Sequence, residues 1–189
     1  MSRLITVAVA AIALLSLASC SQAHRTANSC YRFSEATRVG SLIAEVDRRR
    51  SCGFTAPLLD GSSYALAHDA GQVVVVNFWA TWCGPCAVET PQLDVVYRAD
   101  KGRHVTVVGI DTKDFRSKAS AFVKDHHVSF PIVFDDRARV AVAMGRLPLV
   151  GLPFTALIDR QQRVAAVYVG AVTPKDLQPV LDRLAAEPA

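Results

Sequence analysis

Two cysteines three positions apart suggest the chemistry of this sequence most directly. Cys83 and Cys86 enclose Gly84 and Pro85, directly after the apolar run 73–79 and at the start of a segment with helical periodicity. Thiols at this spacing can close a disulfide with little rearrangement, and a helix N-terminus favours negative charge on the first of them. We therefore expect Cys83 to be an exposed, partly ionised nucleophile that attacks a disulfide, and Cys86 to resolve the mixed disulfide that forms.

The elements around this pair predict a mixed α/β sheet. The run 73–79 is apolar on both faces, which is typical of a central strand covered by helices, and a helix is predicted from Pro85 to about Ala99. Strands alternate with helices after it, and a short hairpin turns at Asp60-Gly61 before it. The later strands are predicted at 105–110, 132–134, 155–158 and 164–169, the helices at 116–125, 138–144 and from Thr173, and the hairpin strands at 56–59 and 63–66. Val39, Leu42, Ile43 and Val46 repeat at helical spacing and predict an N-terminal amphipathic helix over 34–48.

Composition excludes several classes of protein. The chain has 189 residues, of which 51% are hydrophobic, and a net charge of +4. A disordered chain carries fewer apolar residues, and a nucleic-acid-binding protein usually shows a dense basic face. We therefore expect one folded domain and no nucleic-acid partner.

The N-terminus predicts export and a lipid anchor. A short positive start is followed by an apolar run over 4–18, which is too short to span a membrane and is typical of a signal peptide, here residues 1–19. The end of this run, Leu17-Ala18-Ser19-Cys20, resembles the lipobox of bacterial lipoproteins, in which the cysteine is acylated, for example with palmitate. The alternative is an ordinary signal with a chance cysteine. We expect acylated Cys20 to anchor the chain in the bilayer through a tether over 20–33, on the extracytoplasmic face of a bacterial cell membrane.

Export leaves an even number of cysteines in a compartment where disulfides persist. With Cys20 used by lipid and Cys83 paired with Cys86, Cys30 and Cys52 remain. They could form a structural disulfide if both flanks of the predicted helix fold back, or stay as two unpaired thiols. The sequence leaves both outcomes open.

A metal site is the main alternative to redox chemistry. Zinc would need Cys30 and Cys52 beside the other two cysteines, and these are not placed in a second pair of the same spacing. A copper carrier would need wider spacing and a histidine ligand. The five histidines stand in polar surroundings without ligand-like spacing: His24, His68, His104, His126 and His127. We expect no metal and no organic cofactor.

Two segments together resemble a known family. The segment 77–91, with the sequence NFWATWCGPCAVETP, and the segment 151–155, with the sequence GLPFT, are similar to the active-site block and the cis-proline segment of the thioredoxin superfamily, in its extracytoplasmic TlpA/ResA/DsbE-like branch. The resemblance implies a thioredoxin-like fold, with a central sheet flanked by helices. We expect this domain over 53–189, with the N-terminal helical extension over 34–52 and the β-hairpin as additions before the sheet. The resemblance also implies that Pro153 is cis and faces the cysteines, and that Pro153, Leu152 and Trp82 bind substrate.

The resemblance also assigns a role to an acidic residue. Ordinary thioredoxins carry a buried aspartate where this chain has Asn77, and an asparagine cannot titrate. Glu89 follows Cys86 by three positions on the same helix face and matches the acidic residue of this branch. A half-buried carboxyl there would have a raised pKa and could exchange protons with Cys86, whereas the alternative is a surface glutamate.

The function implied by the resemblance is a lipid-anchored thiol-disulfide oxidoreductase that exchanges disulfides with protein partners. The expected direction is reduction, as in cytochrome c maturation, with apocytochrome c as substrate and a membrane thiol-electron transporter as redox partner. One alternative is an oxidase that introduces disulfides into exported proteins. The other is a non-enzymatic lipoprotein that binds a metal or a partner and whose cysteine pair is structural.

Overall fold

A five-stranded sheet and a separate two-stranded hairpin organise the chain. The computed structural model describes residues 30–33, 39–145 and 151–189, so the predicted signal peptide, Cys20 and most of the predicted tether lie outside the described residues. The strands are β1 (Thr55–Pro57), β2 (Ser63–Ala65), β3 (Val73–Trp79), β4 (Val105–Thr112), β5 (Ile132–Asp135), β6 (Phe154–Ile158) and β7 (Val164–Val169). The α-helices are α1 (Gly84–Asp100), α2 (Arg116–Asp125), α3 (Arg139–Ala143) and α4 (Pro174–Ala186).

The large sheet is mixed, as predicted, and β3 lies at its centre. The strand order is β5-β4-β3-β6-β7. β3 pairs in parallel with β4, and β4 with β5, whereas β3 pairs antiparallel with β6, and β6 with β7. Every residue of β3 is buried, which confirms the prediction of a strand covered on both faces.

The two faces of the sheet each carry a hydrophobic core. Alternate side chains of β3 point to opposite faces, because the side chains of a strand repeat every two residues. One core joins Val73, Val75 and Trp79 to apolar residues of α1 and α4. The other joins Val74, Val76 and Phe78 to α3 and to the N-terminal residues Tyr31 and Phe54. Among the described residues, no helix combines the length and the apolar character that crossing a bilayer requires.

The predicted N-terminal helix is wrong over the part that the structure describes. Residues 39–48 contain only a 3-10 turn, Glu45–Asp47, and 34–38 lie outside the described residues. Gly40 has a φ of +70°, a conformation that ends helices, and its amide donates to Val167 of β7 over 2.8 Å. Val46 is 84% exposed, so its helical spacing reflects no buried face. The segment instead lies along the outer edge of β7, which it covers.

The hairpin forms as predicted and docks on the other edge of the sheet. β1 and β2 pair antiparallel on either side of Gly61, which has a φ of +89°. The Asp60 carboxylate accepts a hydrogen bond from the Ser62 amide over 2.9 Å and holds the turn. Just before the turn, the Leu59 amide donates to Ile132 of β5 over 2.9 Å. Both edges of the sheet are therefore covered by the chain that precedes β3.

A disulfide between Cys30 and Cys52 closes this N-terminal segment. The two Cα atoms are 5.2 Å apart, and the sulfurs are bonded. The Tyr31 amide, next to Cys30, donates to Arg50 over 2.7 Å, so the two flanks run side by side. The flanks meet because the segment between them contains no long helix over 39–48.

We expect loss of this bridge to destabilise the fold. The double variant C30S/C52S opens a loop spanned by 22 positions, and loop-closure entropy then gives a loss of about 3 kcal/mol in the free energy of unfolding. Denaturant unfolding without reductant measures this loss. An unchanged midpoint would show that the bridge does not constrain the unfolded chain.

A buried ion-pair network fastens the same segment to the C-terminus. Arg48 donates to Asp159 over 3.1 Å and to Glu187, just after α4, over 2.9 Å. Asp159 also accepts from the Arg163 side chain over 2.7 Å. Arg48 and Asp159 are both buried, so each charge depends on its partners for solvation.

Arg48→Ala should therefore lower the free energy of unfolding. The expected loss is about 3 kcal/mol, at the low end for a broken buried pair because Asp159 keeps Arg163. The neighbouring Arg49 is exposed, and within the described part of the chain its guanidinium donates only to backbone carbonyls, so Arg49→Ala should change stability by less than about 0.5 kcal/mol. Equal losses for the two variants in urea unfolding would contradict a role for the network.

Candidate active site

The cysteine pair lies between the end of β3 and the first turn of α1. β3 ends at Trp79, and Cys83 is the N-cap residue of α1. The Cys83 and Cys86 sulfurs are bonded, and their Cα atoms are 5.3 Å apart. The structure therefore holds the oxidised form of the pair, at the position that the sequence predicts.

The helix start distinguishes the two sulfurs. The Cys86 amide donates to the Cys83 sulfur over 3.3 Å, and the positive end of the α1 dipole lies at the same place. Both interactions favour a thiolate at Cys83 once the bond is reduced. Cys86 is fully buried, and its sulfur accepts no such hydrogen bond from the described residues, so the geometry favours Cys83 as the nucleophile of the two.

The predicted exposure of Cys83 is wrong for this oxidised form. Cys83 is only 5% exposed, because its sulfur is turned inward to Cys86 and the residue packs in the core beside α1. It is nevertheless the more accessible member of the pair, since Cys86 is 0% exposed. In this oxidised form, a partner thiol would therefore reach the disulfide from the side of Cys83.

The cis-proline loop reaches the same end of β3. The Leu152–Pro153 peptide is cis. Phe154, the next residue, pairs with Phe78 near the end of β3, which places Pro153 beside the strand that leads to Cys83. Leu152 is half-buried and packs against the core that contains both cysteines.

Trp82 stands beside the cysteines and faces solvent. It is 62% exposed, although its indole N–H donates to the Lys113 carbonyl over 3.0 Å. A large apolar side chain that is exposed and also held in place is suited to contact a partner. The three residues assigned to substrate binding, Trp82, Leu152 and Pro153, thus lie on elements that meet at the cysteine pair.

Glu89 lies behind the pair and is more deeply buried than expected. Its side chain is on α1, one turn after Cys86, and the residue is 1% exposed. One carboxylate oxygen accepts from the Val172 amide over 2.8 Å, and the other from the Asn77 side-chain amide over 2.9 Å. Burial nevertheless raises the pKa of Glu89 to about 7, because these two hydrogen bonds offset the desolvation only in part.

Asn77, on the central strand β3, is the side chain that donates a hydrogen bond to the Glu89 carboxyl. Its side-chain amide also donates to the Thr155 hydroxyl over 2.9 Å, and Thr155 is its partner in the β3–β6 pairing. Its carbonyl oxygen has no hydrogen-bond partner in the described part of the chain. Rotating the amide would present that oxygen to a protonated Glu89, so the environment accepts the carboxyl in either protonation state.

Two further carboxyl groups, those of Asp114 and Asp111, lie near the active-site loop, and sequence reasoning missed them. Asp114 follows β4 and accepts from the Thr81 hydroxyl over 2.6 Å and from the Thr81 amide. Burial acts to raise the pKa of Asp114, but these hydrogen bonds lower it overall. Asp111 is fully buried, and neither of its carboxylate oxygens has a hydrogen-bond partner among the described residues. Burial, followed by the negative charge of Asp114, raises the pKa of Asp111 to about 8.

The described residues do not form a set of ligands for a metal ion. No group of three or more His, Cys, Asp or Glu side chains is arranged to hold one within 30–33, 39–145 and 151–189. Cys83 is bonded to Cys86, and Cys30 is bonded to Cys52. The sulfurs that a zinc site would need are thus engaged in two separate disulfides.

Comparison with known proteins agrees with this geometry. The Redoxin family model matches residues 46–183. The thiol-disulfide oxidoreductase ResA of Geobacillus thermodenitrificans is 30% identical over 126 residues, which cover 67% of this chain and 71% of that protein. ResA of Bacillus cereus is 28% identical over 131 residues, which cover 69% of this chain and 74% of that protein.

Solved structures show the same fold. A DsbF homologue from Corynebacterium diphtheriae matches with a TM-score of 0.77 and 32% identity, covering 82% of this chain and 100% of that one. A secreted thiol-disulfide isomerase from Corynebacterium glutamicum matches with a TM-score of 0.78 and 30% identity, covering 83% of this chain and 98% of that one. The chain therefore belongs to the Redoxin family, as a thiol-disulfide oxidoreductase with a thioredoxin-like fold.

Proposed function

We propose that this protein is an extracytoplasmic, membrane-anchored reductase of protein disulfides, of the type that serves cytochrome c maturation. The observation that carries the proposal is the arrangement of Glu89 behind a cysteine pair at a helix start: a buried carboxyl with a pKa of about 7, one turn from the buried cysteine. Cys83, Cys86 and Glu89 are then the catalytic residues, and Trp82, Leu152 and Pro153 line the approach of the substrate.

The reaction begins with the reduced pair. The Cys83 thiolate attacks one sulfur of the substrate disulfide, the substrate S–S bond breaks, and the departing cysteine leaves as a thiolate that takes a proton from water. Cys83 is now joined to the substrate by a mixed disulfide. At this stage one substrate sulfur has been released as a thiol and the other is bonded to Cys83, while Cys86 is still reduced.

The second step releases the product. Cys86 loses its proton to the Glu89 carboxylate and attacks the Cys83 sulfur, which breaks the mixed disulfide and frees the second substrate thiolate. The protein ends with the Cys83–Cys86 disulfide seen in the structure and a protonated Glu89. The substrate has gained two electrons, and a dithiol partner must return the protein to the reduced form by the reverse of these steps.

The Gly84-Pro85 dipeptide between the cysteines supports the reducing direction, since ordinary thioredoxins carry the same pair. An apocytochrome c is a suitable substrate because its haem-attachment segment contains two cysteines that must be reduced. A membrane thiol-electron transporter is the corresponding donor. Acylated Cys20 would hold the domain beside that donor at the extracytoplasmic face, and two of the neighbouring structures are described as secreted proteins.

The reduction potential of the Cys83/Cys86 pair tests the direction. Titration of the protein in defined thiol buffers, with Cys83→Ser as the control, should give a value near that of thioredoxin, about −270 mV. The reduced protein should then reduce the disulfide of a peptide with the C-x-x-C-H pattern. A potential near that of a strong disulfide donor, about −120 mV, would overturn the reductase in favour of an oxidase.

The anchor has its own test. Mass spectrometry of protein purified from a bacterial membrane fraction should show an N-terminal Cys20 that carries acyl chains. Replacement of Cys20 by Ser should release the protein from the membrane without changing the reduction potential. An unmodified Cys20 in membrane-derived protein would contradict the lipoprotein form.

A further inference from the structure

Next to the cysteine pair lies an exposed surface formed by the β4–α2 loop, 113–118, together with Trp82. Phe115 is 69% exposed, and Trp82 is 62% exposed. The Trp82 indole donates to the Lys113 carbonyl, which joins the tryptophan directly to this loop. Two exposed aromatic side chains, one next to Cys83 and one on the adjoining loop, form an apolar surface that faces solvent.

One carboxylate fixes the two aromatic residues relative to each other. Asp114 accepts from the amide and hydroxyl of Thr81, which precedes Trp82, and its other oxygen accepts from the Phe115 amide over 2.7 Å. The apolar surface is therefore built on backbone that is held from both sides. A surface ordered before binding loses less conformational entropy when a partner arrives.

The same loop presents positive charge. Lys113, Arg116 and Lys118 are exposed, and none of them forms an ion pair with a carboxylate among the described residues. The Lys118 ammonium lies 5.3 Å from the centre of the Phe115 ring. Asp114, the one acidic residue of the loop, is buried and bonded to Thr81. The exposed loop is thus cationic around an aromatic centre.

We propose that this surface, formed by Trp82, Lys113, Phe115 and Lys118, selects substrate polypeptides that carry an apolar side chain flanked by carboxylates close to the reacting cysteine. The proposal rests on the proposed function, because it names the substrates that the cysteine pair prefers. The apolar side chain packs between Trp82 and Phe115, and the carboxylates face the two lysines. Arg116 keeps the loop in place, since its guanidinium donates to the carbonyls of Leu58 and Leu59 in the hairpin.

Comparison of the rate constants for two peptides tests this preference. Two peptides carry one cysteine as a mixed disulfide with 2-mercaptoethanol, and the cysteine is flanked either by phenylalanine and glutamates or by serine and lysines. The rate constant of the reduced full-length protein with each peptide is divided by its rate constant with hydroxyethyl disulfide, which has no flanking residues. We expect the acidic aromatic peptide to exceed the basic one about tenfold in this ratio, with the difference shrinking at high salt.

Variants locate the preference. Phe115→Ala and the double variant K113Q/K118Q should each reduce the tenfold difference between the two normalised peptide rate constants to nearly onefold. The matched controls are Val95→Ala, on an exposed apolar residue far along α1, and Lys124→Gln, on an exposed residue of α2; both should keep the wild-type ratio. Equal rates for the two peptides in the wild-type protein would overturn the surface proposal alone, whereas failure to react with hydroxyethyl disulfide would overturn the proposed function itself.

A membrane surface is the other occupant that a cationic aromatic loop could suit. Sedimentation with vesicles of phosphatidylglycerol and phosphatidylcholine separates the two when it is done in the Cys20→Ser background, which lacks the proposed lipid anchor. If K113Q/K118Q loses vesicle binding but keeps the wild-type peptide ratio, the loop faces lipid and the substrate proposal is wrong. If the variant loses the peptide ratio and sediments like the wild-type protein, the substrate proposal holds.

Discussion

Cys83→Ser is expected to lower the rate of disulfide reduction by a thousandfold or more, roughly the effect of removing a nucleophile. The remaining thiol cannot take over, because Cys86 is fully buried beneath Cys83 and lacks the helix-start contact that stabilises a thiolate. Insulin reduction in the presence of a dithiol measures the loss.

Cys86→Ser should behave differently and so identifies the order of the two steps. Cys83 can still attack a substrate disulfide, but nothing resolves the mixed disulfide, which should accumulate and be seen by mass as an adduct on Cys83. The double variant C30S/C52S is the control, since its bridge lies in the N-terminal segment and should leave the exchange rate within about threefold of the wild-type rate at a temperature where the variant stays folded. An adduct on Cys86 in the Cys83→Ser protein would reverse the assignment of nucleophile.

Glu89→Gln is expected to slow the resolving step by about a hundredfold at pH 8, the typical contribution of a positioned general base. In the wild-type protein this step should accelerate as pH rises through about 7, because the carboxylate form of Glu89 is the one that accepts the Cys86 proton. The variant should lack this inflection. Stopped-flow tryptophan fluorescence of disulfide closure across pH 5 to 9 measures both, and Glu45→Gln, on an exposed residue of the N-terminal segment, is the control.

Glu89→Gln should also become more stable relative to the wild-type protein as pH rises. The folded protein raises the Glu89 pKa from 4.5 to about 7, so the folded state binds more protons than the unfolded state between these values. Below about pH 4.5 the Glu89 carboxyl is protonated in both states and does not lower the free energy of unfolding. As pH rises to about 7, ionisation of the unfolded-state carboxyl lowers the free energy of unfolding by about 3 kcal/mol. The stability of Glu89→Gln relative to the wild-type protein should increase by about this amount over the same range.

A stability difference that stays flat with pH would contradict the raised pKa of Glu89. A normal kinetic inflection in Glu89→Gln would assign the proton transfer to another group. Asp111 is then the next carboxyl to examine, because burial raises its pKa to about 8 and it lies under the active-site loop through Asp114. The two measurements are independent, since one follows unfolding and the other follows disulfide closure.

Much of the sheet could be predicted from local patterns, because each signal lies within one segment. The run 73–79 is apolar at nearly every position, and it forms β3 with the same bounds. The N-terminal helix could not be excluded in this way. Val39, Leu42, Ile43 and Val46 have helical spacing, but the competing hydrogen bonds come from β7, more than a hundred residues later in the chain.

The cysteines of the site follow from sequence, whereas their surroundings depend on distant contacts. Full burial of Glu89 requires the Val172 amide, which lies 83 positions away, and the Asn77 side chain on another element. Asp114 reaches Thr81 across 33 positions, through the pairing of β3 with β4. The signal that could have found Asp114 and Phe115 is their position shortly after a predicted strand, because β4 pairs in parallel with β3 and so ends at the same edge of the sheet as the strand that leads to Cys83.

The most direct test of the central claim follows the thiols through one turnover. The reduced protein is mixed with one equivalent of a disulfide-containing polypeptide, quenched in acid at increasing times, alkylated and mapped by mass. We expect a transient adduct on Cys83, followed by loss of alkylation at Cys83 and Cys86 together, while two thiols appear in the substrate. Free thiols that persist at both positions while the substrate is reduced, or an exchange that maps to Cys30 and Cys52, would contradict the role of this pair.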